Sequence, residues 1–212
     1  MVDIPNNIFI NVSDDPIKTI IESTYPNILE NINDLNYFQE RTILAPTLLN
    51  VDIVNEYMLS MISRKERIYL SSNSVCRADA NIDSMDDLYT TEYLNSIRMS
   101  GLPNHVLKLK VSAPVMLLRN IKSLGLCNSI RLIISQLGKH VLEAKVISGS
   151  NVGQKIIIPK MVITPSDVRL SFKLRSKQFS LAVYFAMTIN KSQGQSLSNV
   201  GLYLSSLVFT HG

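Results

Sequence analysis

Near the end of the chain two apolar runs, Ser180 to Ala186 (SLAVYFA) and Val200 to Leu204 (VGLYL), enclose a polar loop able to hold an anion. Thr188, Asn190, Lys191, Ser192, Gln193 and Gln195 supply hydroxyl, amide and ammonium donors. Gly194 places no Cβ between the backbone and whatever approaches it. A phosphate suits that set; a solvated turn between two strands would carry the same residue types.

The remaining chemistry-bearing residues converge on nothing. Cys76 and Cys127 lack any C-x-x-C or Cys/His spacing and read as two reduced thiols, while His105, His140 and His211 are scattered, so no metal is assigned. Asp79, Asp83, Asp86 and Asp87 crowd one polar stretch, Ser71 to Tyr93. They match no EF-hand loop and have no glycine for its sharp turn, so a solvated loop is expected there. The eight glycines never fall into G-x-x-x-x-G-K-[ST], so a phosphate-cradling Walker A loop is absent and no catalytic set is complete.

At 212 residues and 46% apolar content the chain can bury one large core or two small ones. It has no apolar run long enough to span a bilayer and no basic leader followed by an apolar stretch, so membrane insertion is not expected. The formal charge of +4 hides an asymmetry. Residues 1–100 carry fifteen Asp/Glu against seven Lys/Arg, a net of −8, and residues 101–212 carry two against fourteen, a net of +12. A polyanion is drawn to the second half, although a basic surface also serves solubility.

Several elements must position the loop. An apolar, Asn-rich segment runs from Val2 to Ile10. Ser13-Asp14-Asp15-Pro16 starts a helix reaching about Ser23, with Ile17, Ile20 and Ile21 on one face and Tyr25-Pro26 as its stop. Ile28, Leu29, Ile32 and Leu35 form a second short pattern. Thr42 to Ala45 reads as a strand ended by Pro46. Asn50 and Asp52 then open a helix whose stripe is Val51, Val54, Asn55, Met58, Leu59 and Ile62. Such a strand and helix pair is an α/β signature. Tyr93 to Met99 reads as a short helix stopped by Gly101 and Pro103. Short strands follow over residues 107–111, 115–118, 130–134, 141–147, 155–158 and 161–164, the pattern of a small bent sheet or barrel. Residues 165–178 carry Arg169, Lys173, Arg175 and Lys177 and return the chain to the loop. Ser180 to Ala186 reads as a single buried strand.

The full string FAMTINKSQGQSL, Phe185 to Leu197, closely resembles motif V of the petite-integration-frequency (Pif-type) DNA helicases, superfamily-one motors that unwind DNA using ATP. The likeness is strongest to the plant and Helitron-transposon branch. It implies that Thr188 and Asn190 face DNA phosphates while Lys191, Ser192, Gln193 and Gly194 form a turn on the ATP side. Asn190 stands where many relatives have His, so no charge is carried there. RTILAPT resembles motif IV, which begins the second RecA-like domain, with Leu48 and Leu49 in place of Asn-Glu. LPNHVLKLKVSAPVMLLRNI and GLCNSIRL resemble the SH3-like 2B insertion, which implies DNA contacts from Lys108, Lys110, Arg119 and Arg131.

The fold class implied is α/β, a partial RecA-like P-loop-NTPase-type motor domain interrupted by a small SH3-like β-barrel. Its divisions are a linker and first part of the second RecA-like domain over 1–91, the 2B domain over 92–165, and a return to the motor over 166–212. The activity implied is that of an ATP-dependent 5′-to-3′ helicase in DNA repair, recombination and telomere maintenance. Its partners would be single-stranded DNA and DNA junctions, with ATP and Mg²⁺ as cofactors, in the nucleus or the mitochondrion. Walker A and Walker B are lacking, and the chain stops where relatives carry motif VI. The expectation is therefore a C-terminal portion, inactive without an N-terminal motor domain. The other reading is a noncatalytic, basic DNA-binding remnant of a transposon helicase.

Overall fold

A computed structural model describes residues 10, 14–76, 89–99, 101–149, 151–165 and 170–205. The segment from Val2, the Ser13 cap, the four clustered aspartates, Arg169 and His211 lie outside the described residues. In chain order the elements are α1 (Pro16–Thr24), α2 (Leu35–Gln39), β1 (Arg41–Ala45), α3 (Leu48–Met61), β2 (Glu66–Leu70), β3 (Ser72–Val75), α4 (Thr91–Ser96), β4 (Val106–Lys110) and β5 (Pro114–Leu117). They continue with β6 (Arg131–Leu137), β7 (Val141–Val146), β8 (Lys155–Pro159), β9 (Met161–Ile163), β10 (Leu174–Gln178), β11 (Leu181–Val183), β12 (Ala186–Thr188) and β13 (Asn199–Leu202). None of the described helices is long and apolar enough to cross a membrane.

The chain divides into two units: residues 1–63, 112–114 and 183–212 form the first, and residues 64–111 and 115–182 the second. In the first, β1 is the middle strand of a three-stranded parallel sheet ordered β12-β1-β13, and Ile43 is level with Ala186 on one side and Gly201 on the other. α1 starts at Asp15, whose carboxylate accepts from the Ile17 and Lys18 amides at 3.1 and 3.0 Å. Ile20 and Thr24 of this helix press on Gly201, where a Cβ would collide with Thr24 Oγ1 and stand 3.0 Å from Ile20 Cδ1. α3 opens at Thr47, whose hydroxyl accepts from the Asn50 amide at 3.2 Å, three residues before the start expected from Asn50 and Asp52. Pro46 ends the strand directly before this cap, and Thr47 has the extended backbone, φ −122° and ψ 156°, that a capping residue needs. Tyr25, Tyr37, Phe38 and Phe185 form a buried aromatic cluster, with Tyr37 and Phe38 edge-to-face at 5.2 Å.

The second unit is built from antiparallel sheets, a five-stranded one ordered β11-β5-β6-β7-β8, a three-stranded one ordered β3-β10-β9, and the pair β2-β4. Their ladders end at the edge strands β11 and β8, so among the described residues these sheets are open rather than a closed barrel. Three of their strands were not apparent in the sequence. β2 directly precedes the stretch read as a polar loop, β3 lies inside that stretch, and β10 (LRSKQ) buries Ser176 and Gln178 on the face that ordinarily carries apolar residues. Gln178 holds its place with hydrogen bonds: Nε2 donates to the Tyr69 and His105 carbonyls at 3.0 and 3.3 Å, and Oε1 accepts from the Phe179 amide at 3.0 Å. Arg67 donates to the Leu137 carbonyl and Tyr69 to that of Gly138, both at 2.8 Å, which ties β2 to the end of β6. A separate apolar cluster joins Val75, Leu94, Met99, Leu102, Ile163 and Leu174.

One expectation is corrected by the chain path. SLAVYFA is not one strand: it breaks at Tyr184–Phe185 into β11, an edge of the five-stranded sheet, and β12, which joins the parallel sheet. All seven residues are apolar or small, so nothing in their periodicity marks the break.

Candidate functional site

The loop from Thr188 to Ser198 leaves the carboxyl end of β12, the edge of a parallel sheet where α/β proteins form their ligand crevices. What fixes its base is Asn55 of α3, 6% exposed. Its Oδ1 accepts from the Phe185 and Ala186 amides at 3.0 and 2.9 Å, and its Nδ2 donates to the Val183 and Ala186 carbonyls at 3.2 and 3.3 Å. Those groups have no strand ladder at the break, and one amide side chain serves them instead. The Phe185 carbonyl in turn accepts from Ile43 N at 3.0 Å and Tyr25 Oη at 2.7 Å. Helical spacing alone places Asn55 within an apolar stripe. The signal that could have singled it out is an amide occupying a buried position of an otherwise apolar helix face.

Beyond β12, Ile189–Ser192 make a single 3-10 turn, and Ser192 Oγ donates back to the Ile189 carbonyl at 2.7 Å. The next four residues, Ser192 to Gln195, form a type II β-turn. The Gln195 amide donates to the Ser192 carbonyl at 3.0 Å, Gln193 has φ −59° and ψ 126°, and Gly194 has φ +78°. Glycine stands there because the third turn position needs a left-handed backbone. Among the described residues no atom beyond its chain neighbours lies within 4 Å of where a Gly194 Cβ would be, so that side of the turn is open. Gln195 Nε2 donates to the Lys191 carbonyl at 3.1 Å and closes the loop on itself.

These bonds sort the loop residues into two kinds. Ser192 and Gln195 spend side-chain donors on building the loop. Thr188, Asn190, Lys191 and Gln193 make no side-chain hydrogen bond or ion pair among the described residues. Thr188 is level with Ala45 on β1, and Asn190 and Gln193 are exposed. Lys191 is half-buried, and burial pushes its ammonium below the ordinary value of 10.5. A partly desolvated cation carried on the same short loop as an uncommitted hydroxyl and two exposed amides suits a phosphate oxygen. Divalent-metal ligation has no such support, because no group of three His, Cys, Asp or Glu converges among the described residues.

The residues singled out in the second unit are placed differently. Lys108 and Lys110 are half-buried on β4, alternating with buried Leu107 and Leu109, and both already have partners. Arg119 is half-buried after β5. Arg131 is 6% exposed in β6 and is partnered, so little of it faces solvent. Cys76 and Cys127 are free thiols.

A family model described as DNA helicase Pif1, 2B domain, matches residues 92–137. No curated protein matches the chain. Among solved structures, the chain is similar to the Bacteroides Pif1 helicase in complex with ADP-AlF3 and single-stranded DNA, at 18% identity and a TM-score of 0.55 over 95% of this chain and 47% of that one. It is also similar to Pif1 from Candida albicans, at 17% identity and 0.54 over 89% and 52%, and to two coordinating Pif1 helicases at forked double-stranded DNA, at 21% and 0.53 over 92% and 38%. The chain thus shares the mixed α/β architecture of these helicases and spans about half of their length or less.

Proposed function

We propose that this chain supplies the second motor domain, with its 2B insertion, of an ATP-dependent DNA helicase of the Pif type, and that the Thr188–Gln195 loop couples nucleotide turnover to movement along single-stranded DNA. The observation that carries this reading is the set of uncommitted donors, Thr188, Asn190, Lys191 and Gln193, on a loop whose other polar groups are spent holding it rigid. Thr188 and Asn190 contact strand phosphates; Lys191 and Gln193 face the nucleotide. ATP supplies the phosphoryl transfer, and the groups that bind it and Mg²⁺ come mainly from a first motor domain, since this sequence has no Walker A loop. Service in repair, recombination and telomere maintenance, 5′-to-3′ polarity, descent from a Helitron transposon and a nuclear or mitochondrial location belong to the same proposal. So does an SH3-like character for residues 92–165.

A noncatalytic DNA-binding remnant is the second reading, favoured by that missing phosphate cradle. Two measurements separate the readings. Single-stranded DNA binding by the chain, followed over a salt series, should show a log–log slope near ~−3 for about four phosphate contacts. Adding a Pif-type first motor domain should then restore DNA-stimulated ATP hydrolysis that the chain alone lacks. Binding without restored hydrolysis selects the remnant, and a salt-indifferent affinity overturns both.

A further inference from the structure

The cations that the sequence assigned to DNA are largely engaged or buried, which leaves open where a polyanion meets the basic unit. β10 buries Leu174, Ser176 and Gln178 and turns Arg175 and Lys177 outward. Among the described residues neither side chain makes a hydrogen bond or ion pair. Opposite them in register, Ser74 pairs with Arg175 and Ser72 with Lys177 on β3, while Val162 of β9 flanks Lys177 on the other side. Directly opposed residues of an antiparallel pair share a face. Ser72, Ser74 and Val162 are exposed, and β3, β9 and β10 contain no carboxylate. A further cation borders the patch. Lys160, next to β9, donates to the Leu70 carbonyl at 3.0 Å and lies 5.9 and 5.6 Å from the Tyr69 and Phe179 ring centroids. Its ammonium is held below the ordinary range by burial and by the charge of Lys177, so two like charges stand near each other with no acid on these strands between them.

We infer that the outer face of the β3-β10-β9 sheet is a phosphate track for single-stranded DNA, with Arg175 and Lys177 on successive phosphates and the Ser72 and Ser74 hydroxyls donating beside them. Two outward positions on a strand stand about 6.6 Å apart, a step that suits the successive phosphates of an extended strand and is fixed by the backbone rather than by mobile side chains. Hydroxyls flanking a cation add directed donors to its charge, a combination typical of backbone contacts. Exposed Val162 offers an apolar contact to a sugar or base. This assignment rests on the single-stranded DNA reading above and adds a surface that none of its four named cations occupies.

The test follows fluorescence anisotropy of a labelled thymidine homopolymer bound to the full chain over a salt series. Arg175→Gln/Lys177→Gln should weaken binding and make the slope shallower by about 1.4, at about 0.7 per lost contact. Val162→Lys, which adds a cation to the same face without removing anything buried, should steepen it by about 0.7. Salt-sensitive binding with wild-type slopes in both variants would overturn this face while leaving the DNA reading intact. No binding by the wild-type chain at low salt would overturn both. Equal affinity for heparin, lost in parallel in the glutamine variant, would reassign the face to polyanions in general.

Discussion

The two units solve the same problem with the same chemical group and put it to different use. In the parallel-sheet unit, Asn55 satisfies four backbone groups where β11 and β12 part, and the residues it fixes are the base of the candidate loop. In the antiparallel unit, Gln178 satisfies three backbone groups near β2 and β10, with no functional loop attached. Their charges diverge as well. By sequence the first unit holds nine acids against three bases, a net of −6, and the second eight against eighteen, a net of +10. On the proposed reading, long-range attraction of a polyanion belongs to the second unit, and the loop in the first acts at short range through aimed donors.

Breaking the buried amides gives the largest effects. Asn55→Leu should cost about 3 kcal/mol, because it strands several buried backbone groups at once, and Gln178→Leu about 2 kcal/mol. Denaturant unfolding measures both. Amide exchange should speed at Phe185 and Ala186 in the first variant and at Phe179 in the second; the reverse ranking would break the comparison.

The glycines rank next. Gly201→Ala drives a methyl into Thr24 and Ile20 and should destabilise by about 2 kcal/mol. Gly194→Ala meets open space and only the penalty of its left-handed turn, about 1 kcal/mol, so thermal unfolding should separate the two.

Lys191→Ala sharpens the division of labour. With no side-chain partner among the described residues to lose, the variant should unfold like the wild type and keep its salt slope for single-stranded DNA, while the hydrolysis restored by a first motor domain falls about tenfold or more through loss of a charged hydrogen bond to the nucleotide. A drop in stability with unchanged hydrolysis would make Lys191 a structural residue.

The smallest effect is the pH dependence. The folded pKa of Lys191 lies below 10.5, so between that lowered value and 10.5 the unfolded chain binds more protons, and stability rises with pH across this window. Nucleotide affinity moves oppositely, falling as pH rises through the lowered value and the charge is lost. Comparing wild type with Lys191→Met at alkaline pH checks both signs. A wild type that loses stability relative to the variant over that window would refute the assigned direction.

What the sequence by itself determined is what neighbouring residues decide among themselves. Apolar runs bounded by Pro and Gly marked most strands, Pro16 and the acids before it marked α1, and the order of residues from Phe185 to Leu197 marked the loop. The tertiary structure decided whatever depends on a distant partner. The break within SLAVYFA requires Asn55, about 130 positions away. β3 and β10 pair across about a hundred residues and use buried Ser176 and Gln178, which no hydrophobic alternation announces. The purpose of each glycine also emerged only in space, Gly201 making room for α1 and Gly194 turning the chain. Local sequence carries the preferences of the backbone, but a buried polar side chain is tolerable only where the fold brings its hydrogen-bond partners, and those partners are set by topology.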